Sequence, residues 1–256
     1  MFRRGVGIAL FFLGIGLWII ALLGFIIWAL PWLLLAFIAG YLSRGGEWPA
    51  MKHWHVWFWL RRDYFNFVVE RNTLNVQQPV IYAIYPHGHF SLTALFYFAL
   101  NPQFEHCTAA VHSIIFYTPV FGSLARWLGA IGVTEREMLD TLKAGRSIYM
   151  CPGGVADIVN TGTTIKKRSG FLRIARQAGV KVVPIWCPDE RSYYTHWTPL
   201  GFSLERFFHF PIPMLIWGRW WCPVLPHSVA QSRIRVGNLV DPTNEDAFWY
   251  EMKGLF

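Results

Sequence analysis

The stretch that decides the fold is V-I-Y-A-I-Y-P-H-G-H-F-S, from Val80 to Ser91. Its first half consists of β-branched, aromatic and small residues, which is the composition of a buried strand. Pro86 and Gly88 then end the strand, because proline cannot continue a β-ladder and glycine permits a sharp turn. The turn presents His87, with His89 two residues further on. An imidazole titrates near neutral pH, so we expect His87 to act as a general base; a turn histidine bonded only to its neighbours is the alternative.

Two further runs of strand composition end in motifs. Ser147–Cys151 leads into Pro152–Gly154, and Val180–Trp186 leads into a Cys-Pro-Asp-Glu segment that ends at Glu190. Segments of helical pattern separate the runs, which indicates an α/β fold with a mixed, largely parallel sheet flanked by helices. Ligands of such sheets bind outside the carboxyl ends of the strands. We therefore expect the histidines, the Gly-Gly turn and the acidic pair to meet in one site.

Local signals place the helices. Thr134 and Glu137 form a capping box for a helix that we expect to end near Lys143. A second helix is predicted from Ser169 to Ala178, since a glycine follows it directly, and a last helix opens after Asp241.

The N-terminal part of the chain has the composition of a membrane anchor. No charged residue occurs from Gly5 to Ser43. A single helix through this run would be about 58 Å long, roughly twice the thickness of a bilayer core, and Pro31 marks a place for it to bend. Arginine and lysine residues on both flanks favour two cytosolic ends, hence a helical hairpin or re-entrant pair. A cleaved signal peptide is the alternative, but the apolar run is much longer than its h-region.

Tryptophan and tyrosine interleaved with lysine and arginine from Trp48 to Phe67 are typical of a membrane interface. Asn72 to Gln78 is polar and is interpreted as a linker. We therefore predict three regions: a membrane-embedded hydrophobic hairpin at residues 1–45, an interfacial segment and linker at 46–78, and an α/β catalytic domain at 79–256.

The composition narrows the class of partner. Hydrophobic residues make up 54% of the chain, charged residues 15%, and the net charge is +8. A basic chain suits nucleic acid, anionic lipid or a phosphate-bearing ligand. No nucleic-acid-binding module is recognisable, so a membrane and a phosphate-bearing ligand are the expected partners. The four cysteines, Cys107, Cys151, Cys187 and Cys222, form no C-x-x-C pair, which argues against a zinc ribbon and favours a reduced compartment.

Two motifs after the second predicted strand have binding chemistry. The turn at Gly153 and Gly154 allows close backbone approach and exposes N–H groups to an oxyanion or phosphate, although a plain tight turn has the same sequence. Asp157 follows the turn and is a candidate to orient a histidine. The basic residues Lys166, Lys167 and Arg168 precede a helix N-terminus, where phosphate binds readily; a solvated run of charges is the alternative.

Taken together, Tyr85-Pro-His-Gly88, Pro152-Gly-Gly-Val-Ala-Asp157 and Arg168-Ser-Gly-Phe171 resemble motifs of the type 2 diacylglycerol acyltransferase family. Its later V-P-x-x-x-x-G-E pattern is similar to Val183 through Glu190. The resemblance covers roughly residues 1–250. Asp157 stands where the family usually has glutamate, and Asp189 stands where it has glycine. Leu92 occupies the place of the aspartate in the related His-x4-Asp acyltransferases.

This resemblance implies an endoplasmic-reticulum membrane enzyme, with its catalytic domain facing the cytosol, that moves an acyl group from acyl-CoA to a lipid hydroxyl. Lipid droplets are a second location. Our hypothesis is direct transfer to diacylglycerol to make triacylglycerol, with His87 as base. Backbone N–H groups near Gly88 or Gly153 and Gly154 would stabilise the oxyanion, and Glu190 or Asp157 would orient the imidazole. The predicted acyl-CoA and acceptor contacts are Pro86, His89, Gly153, Gly154, Lys166, Lys167 and Arg168.

No cofactor or metal is expected, because acyl-CoA enters as a co-substrate. The acceptor is a neutral lipid, and monoacylglycerol or a wax alcohol is the alternative to diacylglycerol. A non-catalytic lipid-binding protein of membranes or lipid droplets is the rival from another class. A metal hydrolase is a second rival, in which His87 and His89 would bind the metal ion with His106 or His112. The sequence leaves a homo-oligomer open.

Overall fold

The computed structural model describes residues 23–27, 29–35, 46–71, 78–118, 121–154, 157, 167–197, 215–222 and 225–256. The strands of this part are β1 Phe67–Arg71, β2 Val80–Tyr85, β3 Cys107–Val111, β4 Ile131–Gly132, β5 Ser147–Met150, β6 Lys181–Trp186, β7 Thr195–Trp197, β8 Leu215–Trp217 and β9 Ser232–Val236. Its α-helices from His55 onward are α1 His55–Trp59, α2 Phe121–Trp127, α3 Glu135–Lys143, α4 Gly170–Ala178 and α5 Glu245–Lys253. A π-helix spans Thr93–Ala99, and a 3-10 turn spans Glu190–Tyr193.

The main sheet has the strand order β1-β9-β6-β2-β5-β3-β4. Neighbouring strands are parallel throughout, apart from the antiparallel pair β6 and β9. Strands β7 and β8 form a separate antiparallel pair. The predicted mixed, largely parallel sheet is therefore confirmed.

Strand β2 lies in the middle of this sheet, and all six of its residues are buried. Its side chains alternate between two cores. Tyr82 and Ile84 pack in the same cluster as Phe98 of the π-helix, whereas Ile81 and Tyr85 pack with residues of α3, α4 and α5 on the opposite face. Because helices cover both faces, the strand has an uninterrupted apolar sequence rather than an alternation of apolar and polar residues.

The helix signals are confirmed by the structure. The Thr134 hydroxyl accepts a hydrogen bond from the Glu137 amide at 3.3 Å and caps α3. The Glu137 carboxylate reaches back to the Gly132 amide at 2.7 Å, so the cap also binds the end of β4. Helix α4 ends at Gly179, which has a φ of +69° and adopts the left-handed conformation that glycine tolerates.

Strand β1 lies inside the segment that was predicted to be interfacial. It pairs in parallel with β9, with Val68 opposite Arg233, and the Arg235 guanidinium contacts the Glu70 carboxylate at 2.9 Å. Residues 67–71 therefore belong to the edge of the α/β sheet. The predicted linker at 72–78 lies outside the described residues except for Gln78.

The predicted membrane hairpin falls mostly outside the described residues. Residues 23–27 and 29–35 are helical, and their large apolar side chains, such as Trp32, are exposed. Within the described part of the chain, no helix is both long enough and apolar enough to cross a bilayer. Trp54 and Trp59, in and before α1, also expose about half of their surface, at 46% and 51%. The anchor at residues 1–45 stays a prediction.

Candidate active site

Three loops meet at the carboxyl ends of the central strands. Strands β5, β2 and β6 are adjacent and parallel, so the segments that follow them leave the sheet at the same edge. These segments contain His87, Gly153 and Glu190 respectively after β2, β5 and β6. The predicted convergence of the three motifs is therefore present in the fold, at the place where α/β sheets bind ligands.

The imidazole of His87 is held by its own turn. Its Nδ1 lies 2.7 Å from the carbonyl oxygen of Gly88. A carbonyl only accepts hydrogen bonds, so Nδ1 carries the proton and Nε2 carries the lone pair. Burial lowers the pKa of His87, against the opposing effects of the Gly88 bond and the negative charge of Asp157. His87 is therefore neutral at physiological pH, with Nε2 in the form that accepts a proton.

Glu190 binds the backbone just beyond this turn. Its carboxylate accepts hydrogen bonds from the amides of Leu92 at 2.6 Å and Thr93 at 3.0 Å, at the start of the π-helix. Glu190 is only 3% exposed, and burial raises its pKa to about 7, while the bonds from Thr93 and Leu92 oppose that shift. The donors are Leu92 and Thr93 rather than His87, so Glu190 acts on His87 through the position of the turn.

Gly88 lies between the His87 imidazole and the Glu190 carboxylate. Its φ of +61° is in the left-handed region, and a Cβ placed on it would lie 2.6 Å from Cγ of Glu190. Both the backbone conformation and the close approach of Glu190 therefore require glycine at this position. This fit links the position of the His87 turn to the carboxylate of Glu190.

Asp157 approaches His87 from the loop after β5. It is fully buried. Burial lowers the pKa of His87 and of Arg191, and the negative charge of Asp157 opposes that shift in both. Its carboxylate lies so close to Gly153 that a Cβ on this glycine would overlap it. Asp157 is thus in direct contact with the Gly-Gly turn, and its negative charge acts on the imidazole of His87.

The Gly-Gly turn differs from the expected oxyanion site in one respect. The amide of Gly154 donates to the carbonyl of Cys151 at 3.1 Å and closes the turn, with Gly154 at a φ of +59°. This N–H is satisfied within the protein, so it is unavailable to an oxyanion. The Gly154 amide is therefore not one of the exposed N–H groups that were expected at this turn.

The two described residues of the predicted basic cluster have different surroundings. Lys167 is exposed, and its ammonium lies 5.6 Å from the ring centroid of Trp249 on α5. Arg168 turns towards the Gly-Gly turn, where its Nη1 lies 3.4 Å from the position that a Cβ on Gly154 would take. Lys166 lies outside the described residues. Of the two described residues of this cluster, Arg168 is the one that lies beside the Gly-Gly turn.

Pro86 and His89 lie on either side of this turn. Pro86 is buried at the end of β2. Both ring nitrogens of His89 are buried, and no described residue forms a hydrogen bond with either of them. The ring of His89 lies 5.0 Å from that of His196 on β7, centroid to centroid. Burial, His196 and His87 together lower the pKa of His89 to about 4, so the side chain is neutral.

Sequence reasoning missed two residues of the site. The Ser91 hydroxyl donates to the carbonyl of His87 at 3.0 Å and closes the turn around the imidazole. Arg191 follows Glu190 and lies within the field of Asp157. Neither residue belongs to a motif. Each lies next to one in the sequence, and this position was the only signal that could have identified it.

Asp189 has a structural partner. Its carboxylate accepts two bonds from the guanidinium of Arg233, at 2.9 and 3.1 Å, and a third from the Arg233 amide at 2.9 Å. Asp189 therefore ties the loop of Glu190 to β9. This pairing explains how the chain accommodates an aspartate at a position where the pattern of the type 2 diacylglycerol acyltransferases has glycine.

The metal-hydrolase alternative relied on further histidines. His106 directly precedes β3, so it lies at the opposite edge of the parallel strands from His87. His112 is exposed and accepts a bond from the Ile114 amide. Among the described residues, no three histidine, cysteine, aspartate or glutamate side chains are grouped closely enough to hold a metal ion.

Comparison with known proteins identifies the fold and the family. The crystal structure of the 1-acyl-sn-glycerophosphate acyltransferase PlsC from Thermotoga maritima superimposes with a TM-score of 0.51 at 16% identity, over 81% of this chain and 75% of that one. Diacylglycerol O-acyltransferase 2 of Xenopus tropicalis is 28% identical over 198 residues, which are 70% of this chain and 52% of that protein. Acyl-CoA wax alcohol acyltransferase 1 of Mus musculus is 28% identical over 191 residues, which are 66% and 57%.

The chain spans about half the length of the curated relatives that it matches. The family model for diacylglycerol acyltransferase matches residues 11–246, which is nearly the whole chain and includes every motif discussed above. The resemblance drawn from the motifs is confirmed, and the chain belongs to the diacylglycerol acyltransferase family.

Proposed function

We propose that this protein is an acyl-CoA-dependent O-acyltransferase that moves a fatty acyl group to the free hydroxyl of diacylglycerol and so makes triacylglycerol. The observation that carries the proposal is the tautomer of His87. Its Nδ1 is committed to the Gly88 carbonyl, so Nε2 carries the lone pair of the neutral ring and can act as a base after the buried strand β2. Family membership supports the reaction class, since relatives with this sequence pattern are named for diacylglycerol and wax alcohol acyl transfer.

The proposed reaction is a direct transfer. Nε2 of His87 takes the proton of the acceptor hydroxyl while the hydroxyl oxygen attacks the thioester carbonyl carbon. The tetrahedral intermediate collapses, the carbon–sulfur bond breaks, and the leaving thiolate of CoA takes the proton back from the imidazolium. Asp157 stabilises the imidazolium, because its charge already raises the pKa of His87 against the effect of burial.

The oxyanion of the intermediate needs a hydrogen-bond donor. With the Gly154 amide committed to its own turn, we propose the backbone N–H groups at the His87–Gly88 turn for this role. One such donor contributes about 3–4 kcal/mol to transition-state stabilisation. The exposed Arg168, beside the Gly-Gly turn, is proposed to bind a CoA phosphate.

We further propose that the protein works at the endoplasmic-reticulum membrane, with lipid droplets as a second location. The uncharged run from Gly5 to Ser43 and the exposed tryptophans around α1 support this location. Monoacylglycerol and a wax alcohol remain the alternative acceptors, because the named relatives differ in acceptor.

The experiment supplies membranes that contain the protein with labelled oleoyl-CoA and one acceptor at a time: diacylglycerol, monoacylglycerol, a fatty alcohol or glycerol phosphate. We expect triacylglycerol, and we expect His87→Ala to lower its formation by more than about 100-fold. His106→Ala is the matched control, because this exposed histidine lies at the other edge of the sheet, and it should retain activity.

If His87→Ala forms as much product as the wild type, His87 is not the general base. Product from another acceptor would keep the chemistry and change the substrate. Absence of product from every acceptor, with intact protein in the membranes, would favour the non-catalytic lipid-binding alternative.

A further inference from the structure

His89 has hydrogen-bonding capacity that the reaction described above does not use. A neutral imidazole has one N–H donor and one nitrogen acceptor. Both ring nitrogens of His89 are buried, and neither bonds to a described residue. A buried polar group without a partner is destabilising and rare in folded proteins, so its presence at a site points to a ligand that completes it.

The surroundings of His89 define the kind of atom that fits. Its ring lies 5.0 Å from His196 and 6.1 Å from Tyr194, centroid to centroid. Phe90, which is partly exposed, packs on Tyr194 at 5.0 Å and stacks on Phe121 at 6.2 Å. Burial beside His196 lowers the pKa of His89 to about 4. A neutral donor among aromatic rings suits an uncharged oxygen within a hydrocarbon ligand, and it does not suit a phosphate or carboxylate.

The distance to the base is also suitable. The Cα atoms of His87 and His89 are at most about 7 Å apart, and His87 contributes to lowering the pKa of His89, so we infer that an oxygen at His89 and a hydroxyl at His87 belong to one end of the same ligand. A diacylglycerol has such a pair of oxygens, since the ester carbonyl next to its free hydroxyl is only a short carbon chain away. A fatty alcohol has the hydroxyl and no second oxygen.

We propose that His89, with His196 beside it, binds an ester carbonyl of the acceptor lipid, and so selects glycerides over simple alcohols. This inference rests on the proposed function, and it adds the group on the acceptor that the site recognises. His89 donates its N–H to the ester oxygen and contacts the substrate without taking part in the proton transfer at His87.

The test compares two acceptors with oleoyl-CoA as donor. One is dioleoylglycerol, and the other is its diether analogue, which keeps the free hydroxyl and both chains but has no ester carbonyl. We expect the wild-type kcat/KM to favour the diester by about tenfold, which corresponds to one neutral hydrogen bond. His89→Phe should reduce this ratio to about one, by lowering kcat/KM for the diester and leaving the diether within about twofold.

Three further proteins complete the design. His89→Gln keeps an N–H donor and should retain part of the preference, His196→Phe should weaken it, and the control His106→Phe should leave it unchanged. Equal use of both acceptors by the wild type would overturn the inference and leave the acyltransferase proposal standing, and this result needs no variant. A ratio that stays near ten in His89→Phe would also overturn it. Absence of transfer to every acceptor would refute the proposed function and this inference together.

Discussion

Replacing Glu190 with glutamine gives a prediction whose size follows from the structure. Burial raises the pKa of this carboxyl from 4.5 to about 7 in the folded protein. A carboxyl with a raised pKa binds its proton more tightly in the folded state than in the unfolded state. Its contribution to stability is therefore fully present below about pH 4.5, and it is lost as the pH rises through 7.

The rise in the pKa of Glu190 from 4.5 to about 7 corresponds to about 3 kcal/mol of unfolding free energy. The carboxyl is only 3% exposed, so solvent screens little of this effect. Other groups act in the opposite direction: the lowered pKa values of His87 and His89 make stability rise with pH over an overlapping range. The difference between wild type and Glu190→Gln cancels these shared contributions.

The assay is chemical unfolding of the detergent-solubilised protein between pH 5 and pH 8. The unfolding free energy of the wild type, measured relative to Glu190→Gln, should fall by about 2.5 kcal/mol across this range, because part of the full effect lies below pH 5. Glu135→Gln is the control, because this exposed carboxylate forms a surface ion pair with Arg173; its replacement should change the unfolding free energy by less than about 1 kcal/mol. A wild-type minus Glu190→Gln difference that is constant with pH would refute the reasoning.

Two further predictions concern the imidazole. Gly153→Ala should lower transfer by more than about tenfold, because the added Cβ overlaps Asp157 and must move its carboxylate; Gly170→Ala, with open space around its Cβ position, should stay within about twofold of wild type in the same assay. Because the pKa of His87 is lowered by burial, kcat/KM should begin to fall only below about pH 6.5, the ordinary value for histidine; a pH–rate profile whose acid limb lies above that value would contradict the assignment.

Much of the fold followed from local patterns in the chain. The uniform apolar composition of Val80–Tyr85 indicated a strand buried on both faces, and β2 is such a strand. The capping box at Thr134 and the glycine at 179 marked helix ends that the structure contains. These predictions succeed because a strand period, a cap and a left-handed glycine depend on residues within a few positions of one another.

Strand β1 shows where such patterns fail. Its residues follow an aromatic and basic segment, and nothing nearby in the sequence indicates a partner. The pairing with β9 joins Phe67 to Ser232. An edge strand gains its stability from cross-strand contacts rather than from its own residues, so its existence depends on a segment far along the chain.

The sequence by itself determined that a histidine turn, a Gly-Gly turn and an acidic pair each follow a run of strand composition, because each motif is local. Only the tertiary structure decided what each side chain touches. Glu190 bonds the Leu92 amide, 98 residues away, and Asp189 binds Arg233. His89 lies beside His196, and its ring nitrogens bond to no described residue. The physical reason is that hydrogen bonds and charges act over a few ångströms of space, whereas a sequence pattern reports only neighbours along the chain. The order of the parallel strands brings those distant segments within that range.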